Sequence, residues 1–151
     1  MSRKSPRIAE RISGFSGRGW DPHYLGYFDC FNRQGFYEAH DVLEELWLAG
    51  GKTAANYSFH KGLIQLAGAF VHLQKDRLGP AVALFNLADT NLRKYPEDHD
   101  GIDLKEVLGL IEDWRNRVGR EPAAPNPLRS EPPPQLALPG GSSERPESVG
   151  N

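Results

Sequence analysis

The stretch Phe36–Trp47, FYEAHDVLEELW, sets the pattern for the whole chain. Four acidic residues and one histidine stand there among large apolar and aromatic residues, within three helical turns. Its apolar residues recur three or four positions apart, and such positions share one face of a helix. The spacing therefore predicts an amphipathic helix over 36–48, which ends at the Gly50-Gly51 pair.

The segments on either side also show helical periodicity. Asp21-Pro22 is a typical start, with an N-cap residue followed by proline at the first helical position. Residues 53–75 form the most apolar segment, with apolar positions nearly all round, so this helix is expected at the centre. We expect an all-α fold, a compact bundle of about five helices with no β-sheet: 22–33, 36–48, 53–75, 79–94 and 103–118.

Composition divides the chain into three parts. Residues 1–20 carry five Arg or Lys against one Glu and are expected to form a flexible basic arm. Residues 21–120 are expected to form the helical bundle. Residues 121–151 hold eight of the twelve prolines, plus Gly and Ser, and are expected to be a disordered tail.

Charge and cysteine content restrict the function classes. Residues 21–120 carry fifteen acidic and eleven basic residues, which makes nucleic acid an improbable partner for the bundle. A single cysteine, Cys30, excludes an internal disulfide and a multi-cysteine metal site. No run of 18 apolar residues occurs and the N-terminus lacks an apolar signal region, so no membrane partner and a cytoplasmic location are expected.

The polar residues on the apolar faces mark a candidate site. His40 falls beside the buried face of helix 36–48, and Glu44 follows it by one turn, about 5–6 Å away between Cβ atoms. Gln65 and His72 interrupt the otherwise apolar helix 53–75. If these two helices pack antiparallel, His40 approaches His72. Glu38, Asp41 and Glu45 are expected to face solvent.

The run His40–Trp47 resembles the HxxxExxW motif of the family called domain of unknown function 309. The similarity extends to FNRQGFYEAHDVLEELW, GLIQLAGAFVHLQ, GPAVALF and YPEDHDGIDL, over about residues 28–105. The resemblance implies a small all-α bundle without an assigned activity. It points to His40, Glu44 and Trp47, and more weakly to Glu38, Gln65 and His72. The chain departs from the family pattern at Lys61, where a glutamine is expected, and at Asp76-Arg77, where a Gly-Asn turn is common.

Two interpretations of these residues involve no catalysed reaction. A buried network of polar side chains would fix the register of the helices, and its members would be His40, Glu44, Gln65 and His72. A binding module for a small molecule or a protein would use the same surface, with Trp47, Gln65, Glu38 and Lys61 as ligand-binding candidates. We expect a structural or ligand- and partner-binding role as the first interpretation.

The alternative is a metal-dependent or acid–base enzyme of a hydrolase-like kind. Two ligands one turn apart on one helix and a third from a facing helix form a typical bundle site, so His40, Glu44 and His72 are candidates for a divalent metal. The same three residues are the catalytic candidates, because a partly buried glutamate beside a histidine can transfer protons. No nucleophile or phosphate-binding motif accompanies them, so the sequence leaves open whether the protein is an enzyme.

Overall fold

The computed structural model describes residues 4–17, 19–119 and 126–140, and within these ranges the chain is mainly helical. The elements in chain order are α1 (Lys4–Ile12), α2 (Pro22–Asn32), α3 (Phe36–Gly50), α4 (Tyr57–Gln74), α5 (Leu78–Leu92), β1 (Asp98–His99), β2 (Ile102–Asp103) and α6 (Leu104–Gly119). Two short 3-10 helices cover Ser13–Phe15 and Pro127–Arg129. None of the described helices combines the length and apolar character that crossing a membrane requires.

The prediction of about five helices without a β-sheet is wrong in both parts. The sixth helix is α1, in which only Ile8 and Ile12 form an apolar stripe, buried against Val42 of α3. Two apolar positions in a short segment give no sustained period. The sheet is one antiparallel pair, with Asp98 opposite Asp103.

The turn between the two strands explains why the sheet escaped the sequence pattern. Strands of two residues are too short to show the alternation of apolar and polar residues that identifies a strand. Asp100 and Gly101 both have positive φ, 47° and 79°. Positive φ at both central positions is what a tight hairpin turn needs, and Asp-Gly is a favoured pair for it. The Asp100-Gly101 pair is thus a hairpin signal between α5 and α6.

The core is built around α4, as its composition predicts. Phe70 has no exposed surface, and its ring contacts aromatic rings from four other helices. The ring centroids lie 5.0–5.6 Å from that of Phe70, and the four partners are Phe31, Phe36, Phe85 and Trp114. Aromatic contacts of this kind add to the free energy gained by burial. One side chain thus joins α2, α3, α5 and α6.

Parts of the two terminal segments lie against the bundle. Beyond α6, the buried Asn126 donates to the carbonyl oxygen of Leu73 over 2.6 Å, and Leu136 is buried with its backbone N–H bonded to Asn32. The division into arm, bundle and disordered tail stays a prediction. Residues 1–3, 18, 120–125 and 141–151 lie outside the described residues.

Candidate functional site

Three fully buried side chains fix the rotation of α3: Phe36, Ala39 and Leu43. This rotation brings His40 to the edge of the buried face, where 30% of its side chain stays exposed. Glu44, one turn further along, is half-buried. The ring of Tyr37 lies nearly parallel to that of His40, at an interplanar angle of 15°. The histidine is thus placed by packing on one side and by an aromatic ring on the other.

His40, Asp41 and Glu44, here called the α3 triad, bring three possible metal ligands together. One ring nitrogen and one carboxylate oxygen from each acid lie within 4.8 Å of one another. Nδ1 of His40 is 3.3 Å from Oδ1 of Asp41. A nitrogen and two carboxylate oxygens form a donor set that suits divalent transition metals.

Asp41 is the member of the triad that the sequence reasoning missed. Helical spacing puts it opposite the buried face, yet only 6% of the residue is exposed. The neighbouring Val42 is covered by α1, through Ile8 and Ile12. Because the sequence predicts no helix before residue 22, it could not indicate that α1 covers Val42.

A cavity of about 230 Å³ opens beside the triad, with α4 as its floor and α3 and α5 at its sides. His40, Gln65 and His72 line it, so the structure brings together three of the residues predicted from the sequence. The complete lining of this histidine cavity is Tyr37, His40, Ile64, Gln65, Gly68, Val71, His72 and Leu84. Glu44 joins the site through His40 and is not part of the cavity wall.

His72 contributes a buried ring nitrogen to this region. Among the described residues, Nδ1 of His72 has no hydrogen-bond partner. Burial lowers the pKa of His72 below its usual value, and the positive charges of Arg77 and Lys75 lower it further. The neutral ring is therefore favoured at neutral pH, with one nitrogen as donor and the other as acceptor.

The orientation of the Gln65 amide is fixed by a chain of hydrogen bonds. The ammonium group of Lys94 can only donate, and it lies 3.2 Å from Oδ1 of Asn91. Nδ2 of Asn91 must then be the donor to Oε1 of Gln65, at 2.8 Å. This leaves the Nε2 amide as the group that Gln65 can offer at the cavity.

The family model described as Domain of unknown function (DUF309) matches residues 24–84. We call these matched residues, 24–84, the DUF309 segment. The resemblance noted from the sequence is thus confirmed over these residues, and the helical fold agrees with it. Comparison with curated proteins gives no match, and neither does comparison with solved structures.

The DUF309 segment contains the whole α3 triad and every residue of the cavity lining. Asn91 and Lys94, which orient Gln65, lie beyond it. The family description names no activity, so the prediction of a small helical-bundle protein without an assigned activity stands. The HxxxExxW motif itself stays a prediction.

The remaining predicted ligand-binding residues of the DUF309 segment lie apart from the cavity. The rings of Trp47 and Tyr57 have centroids 5.2 Å apart, and Nζ of Lys61 lies 5.8 Å from the centroid of the same tyrosine. Trp47 and Lys61 therefore share a partner at the opposite end of the α3–α4 pair. Nε1 of Trp47 is buried without a hydrogen-bond partner among the described residues. Glu38 lies in the first turn of α3, close to Gly35.

A second group of polar residues, which no sequence pattern indicated, lies where α2 and α4 meet the β-hairpin. We call it the hairpin cluster; its members are Tyr24, Asn56, His60, His99 and Asp100. Nδ2 of Asn56 donates to Oδ2 of Asp100 over 2.6 Å. Oδ1 of Asn56 then accepts a hydrogen bond from Nε2 of His99 over 2.8 Å. The hydroxyl of Tyr24 donates to the backbone oxygen of Asp100.

Two wider clefts lie outside the DUF309 segment. One, of about 610 Å³, lies between the end of α5 and α6 and is lined by long charged side chains such as Arg93, Lys105 and Glu112. The other, of about 500 Å³, lies beside the hairpin. The histidine cavity is smaller than either cleft. Among these three described openings, it alone combines apolar walls with polar residues predicted from the sequence, so we take it as the candidate site.

Proposed function

We propose that this protein binds a divalent transition-metal ion on α3, with His40, Asp41 and Glu44 as the ligands. The observation that carries the proposal is the approach of three ligand atoms of suitable chemistry to within 4.8 Å. Ligand atoms around such an ion lie about 2 Å from it, so small side-chain rotations would complete the site. Zn²⁺, Mn²⁺ and Fe²⁺ all accept one imidazole and two carboxylates.

The position of the triad supports a binding site with an open side. Asp41 is buried, whereas 30% of the His40 side chain is exposed and borders the histidine cavity. Three protein ligands leave at least one coordination position for water or another molecule, which is the arrangement of catalytic rather than structural zinc sites.

The test is a metal titration of the full chain after removal of bound metal with a chelator. Isothermal titration calorimetry with Zn²⁺ and Mn²⁺ is expected to give one site with a roughly micromolar Kd. His40→Gln, Asp41→Asn and Glu44→Gln are each expected to weaken binding at least about tenfold, a loss of about 1.4 kcal/mol. Glu38→Gln, the same substitution in the first turn of α3, serves as the control and is expected to keep the affinity.

A second variant separates the triad from another histidine held between acids. His23 lies 2.9 Å from Asp21 and 2.7 Å from Glu45, measured from its two ring nitrogens to carboxylate oxygens. His23→Gln is expected to leave the stoichiometry and affinity unchanged. Loss of binding in this variant, with binding retained in His40→Gln, would refute the assignment to the triad.

A hydrolytic role is the second candidate, and the position of His72 favours it. The neutral ring of His72 shares the cavity with His40, so it could accept a proton from a water bound beside the triad. Hydrolysis of an activated aryl ester is expected to require added metal and to fall at least about tenfold in His72→Gln. Equal rates with and without metal would count against this role.

A cytoplasmic location is part of the same proposal. Cys30 is the single cysteine of the chain and is a buried free thiol, and proteins without disulfides are typical of a reducing compartment. Cell fractionation would test this location directly, and recovery of the protein in an oxidising compartment would contradict it.

A further inference from the structure

The lining of the histidine cavity indicates a ligand of its own, independently of the proposed metal site. Its eight lining residues include no Lys, Arg, Asp or Glu. A charged ligand would lose part of its hydration there without a permanently charged lining residue to pair with, which is unfavourable. The walls formed by Ile64, Val71 and Leu84 are instead suited to an apolar body.

The volume sets the size of the ligand. An apolar cavity of about 150 Å³ is large enough to hold a benzene molecule. The 230 Å³ of the histidine cavity therefore leaves room for one ring and a small polar substituent. Gly68 keeps this space open, because a Cβ at that position would lie 3.1 Å from Cδ1 of Leu84.

The polar end of the ligand follows from the Gln65 amide. Since Oε1 of Gln65 accepts from Asn91, the group left at the cavity is the Nε2 donor. We propose that the histidine cavity binds a small uncharged molecule with an apolar ring and one hydrogen-bond-accepting oxygen, which receives a hydrogen bond from Gln65. His72 also lines this cavity, and its neutral ring has one donor and one acceptor nitrogen.

Three probes of nearly equal size test this chemistry on the metal-free full chain. Acetophenone carries the accepting oxygen, ethylbenzene lacks it, and benzoate adds a negative charge. Amide chemical shifts are followed by NMR during each titration. Acetophenone is expected to bind with a roughly millimolar Kd, to shift amides of α3 and α4 around residues 37–40 and 64–72, and to bind at least tenfold tighter than benzoate.

Gln65→Leu isolates the hydrogen bond, because the side chain keeps a similar size. This variant is expected to bind acetophenone about tenfold more weakly and ethylbenzene within twofold of the unaltered protein. Equal affinity for benzoate and acetophenone would overturn the proposal. So would shifts centred on the cleft near Arg93 and Lys105, or a Gln65→Leu variant that keeps the preference for acetophenone.

Two cavity-filling variants test the location without removing the polar groups. Gly68→Leu and Val71→Phe each place extra volume at the cavity and are expected to weaken both neutral probes at least tenfold. Gly109→Leu is the matched control, since a Cβ at Gly109 on α6 meets nothing within 4 Å. If Gly68→Leu does not fold, the Val71→Phe variant provides the test. Undiminished binding of the neutral probes to either variant in its folded form refutes the cavity as the binding site. Because all titrations run without metal, their failure is distinguishable from failure of the α3 triad.

Discussion

The histidine cavity and the hairpin cluster both place histidines among helices, yet their polar atoms differ in how they are satisfied. In the hairpin cluster, Asn56 links His99 to Asp100 through its two amide atoms, and each bond has good length. At the cavity, Nδ1 of His72 is buried without a described partner. A buried polar atom without a partner costs free energy, so a satisfied cluster stabilises the fold and an unsatisfied one favours a ligand.

The largest effect is expected from Asn56→Ala. This change removes the donor to the Asp100 carboxylate and the acceptor for His99 together, so the free energy of unfolding should fall by about 2–3 kcal/mol. Urea unfolding followed by circular dichroism measures it. Asn116→Ala, an exposed asparagine of α6, is the control and should change stability by less than about 0.5 kcal/mol. Equal losses in both variants would remove the structural role of the cluster.

A direct comparison of the two regions uses the same substitution in each. His99→Leu should cost about 1–2 kcal/mol of unfolding free energy, because Oδ1 of Asn56 loses its donor. His72→Leu should stay within about 0.5 kcal/mol of the unaltered protein or stabilise it, since the nitrogen it removes has no described partner. The measurement is again urea unfolding. A larger loss at His72 than at His99 would reverse our comparison.

The pH dependence of stability gives a smaller effect. Burial lowers the pKa of His60 in the fold, and the nearby His99 lowers it further, while Asp100 and Asp21 act in the opposite direction. The unfolded chain therefore binds more protons just below about pH 6.5, so the stabilisation is complete above that pH and is lost as pH falls towards the folded pKa. His60→Gln should reduce the slope of unfolding free energy against pH in this window, by less than about 1.4 kcal/mol per pH unit.

Thermal and urea unfolding of the His60→Gln variant at intervals between pH 5 and pH 8 would check this slope. His23→Gln is a useful comparison, because His23 lies between the carboxylates of Asp21 and Glu45 and outside the hairpin cluster. An unchanged slope in His60→Gln would mean that its burial does not control the acid sensitivity.

The smallest effect is expected from a change in the hydrogen-bond chain that joins Lys94, Asn91 and Gln65. Lys94→Met removes the group that orients Asn91, so the Gln65 amide can rotate. Acetophenone affinity should fall two- to threefold, about 0.4–0.7 kcal/mol, with no change in ethylbenzene affinity. Lys105→Met, a change of charge elsewhere on the surface, should have no effect on either probe. Identical results for the two variants would leave no positioning role for Lys94.

Local pattern accounts for much of the fold. The periodic apolar residues of α2 to α6 predicted those five helices, and the near-continuous apolar surface around Phe70 predicted that α4 is central. The pattern failed where the signal is short. Ile8 and Ile12 make a helix stable only by packing on Val42, and the hairpin depends on the backbone of Asp100 and Gly101.

The candidate site was likewise predicted where local spacing sufficed and missed where tertiary packing decides. Helical spacing placed His40, Gln65 and His72 on facing sides of two helices, and the structure puts them on one cavity. Spacing could not give the burial of Asp41, because it puts this residue opposite the apolar face of α3. Nor could it give the orientation of Gln65, because Asn91 and Lys94 come from another helix and its end, and their approach depends on tertiary packing.

The turn glycine of the hairpin also brings distant parts of the chain together. A Cβ on Gly101 would lie 2.6 Å from the ring of Trp20 and 2.8 Å from the backbone nitrogen of Gly140, which donates to the Gly101 carbonyl. The segment that precedes α2 and the segment that follows α6 therefore meet at one residue. A short peptide joining residues 140 and 20 would span little distance, so residues 20–140, without α1, are suited to circular permutation, with new ends at the exposed Gly50 and Lys52.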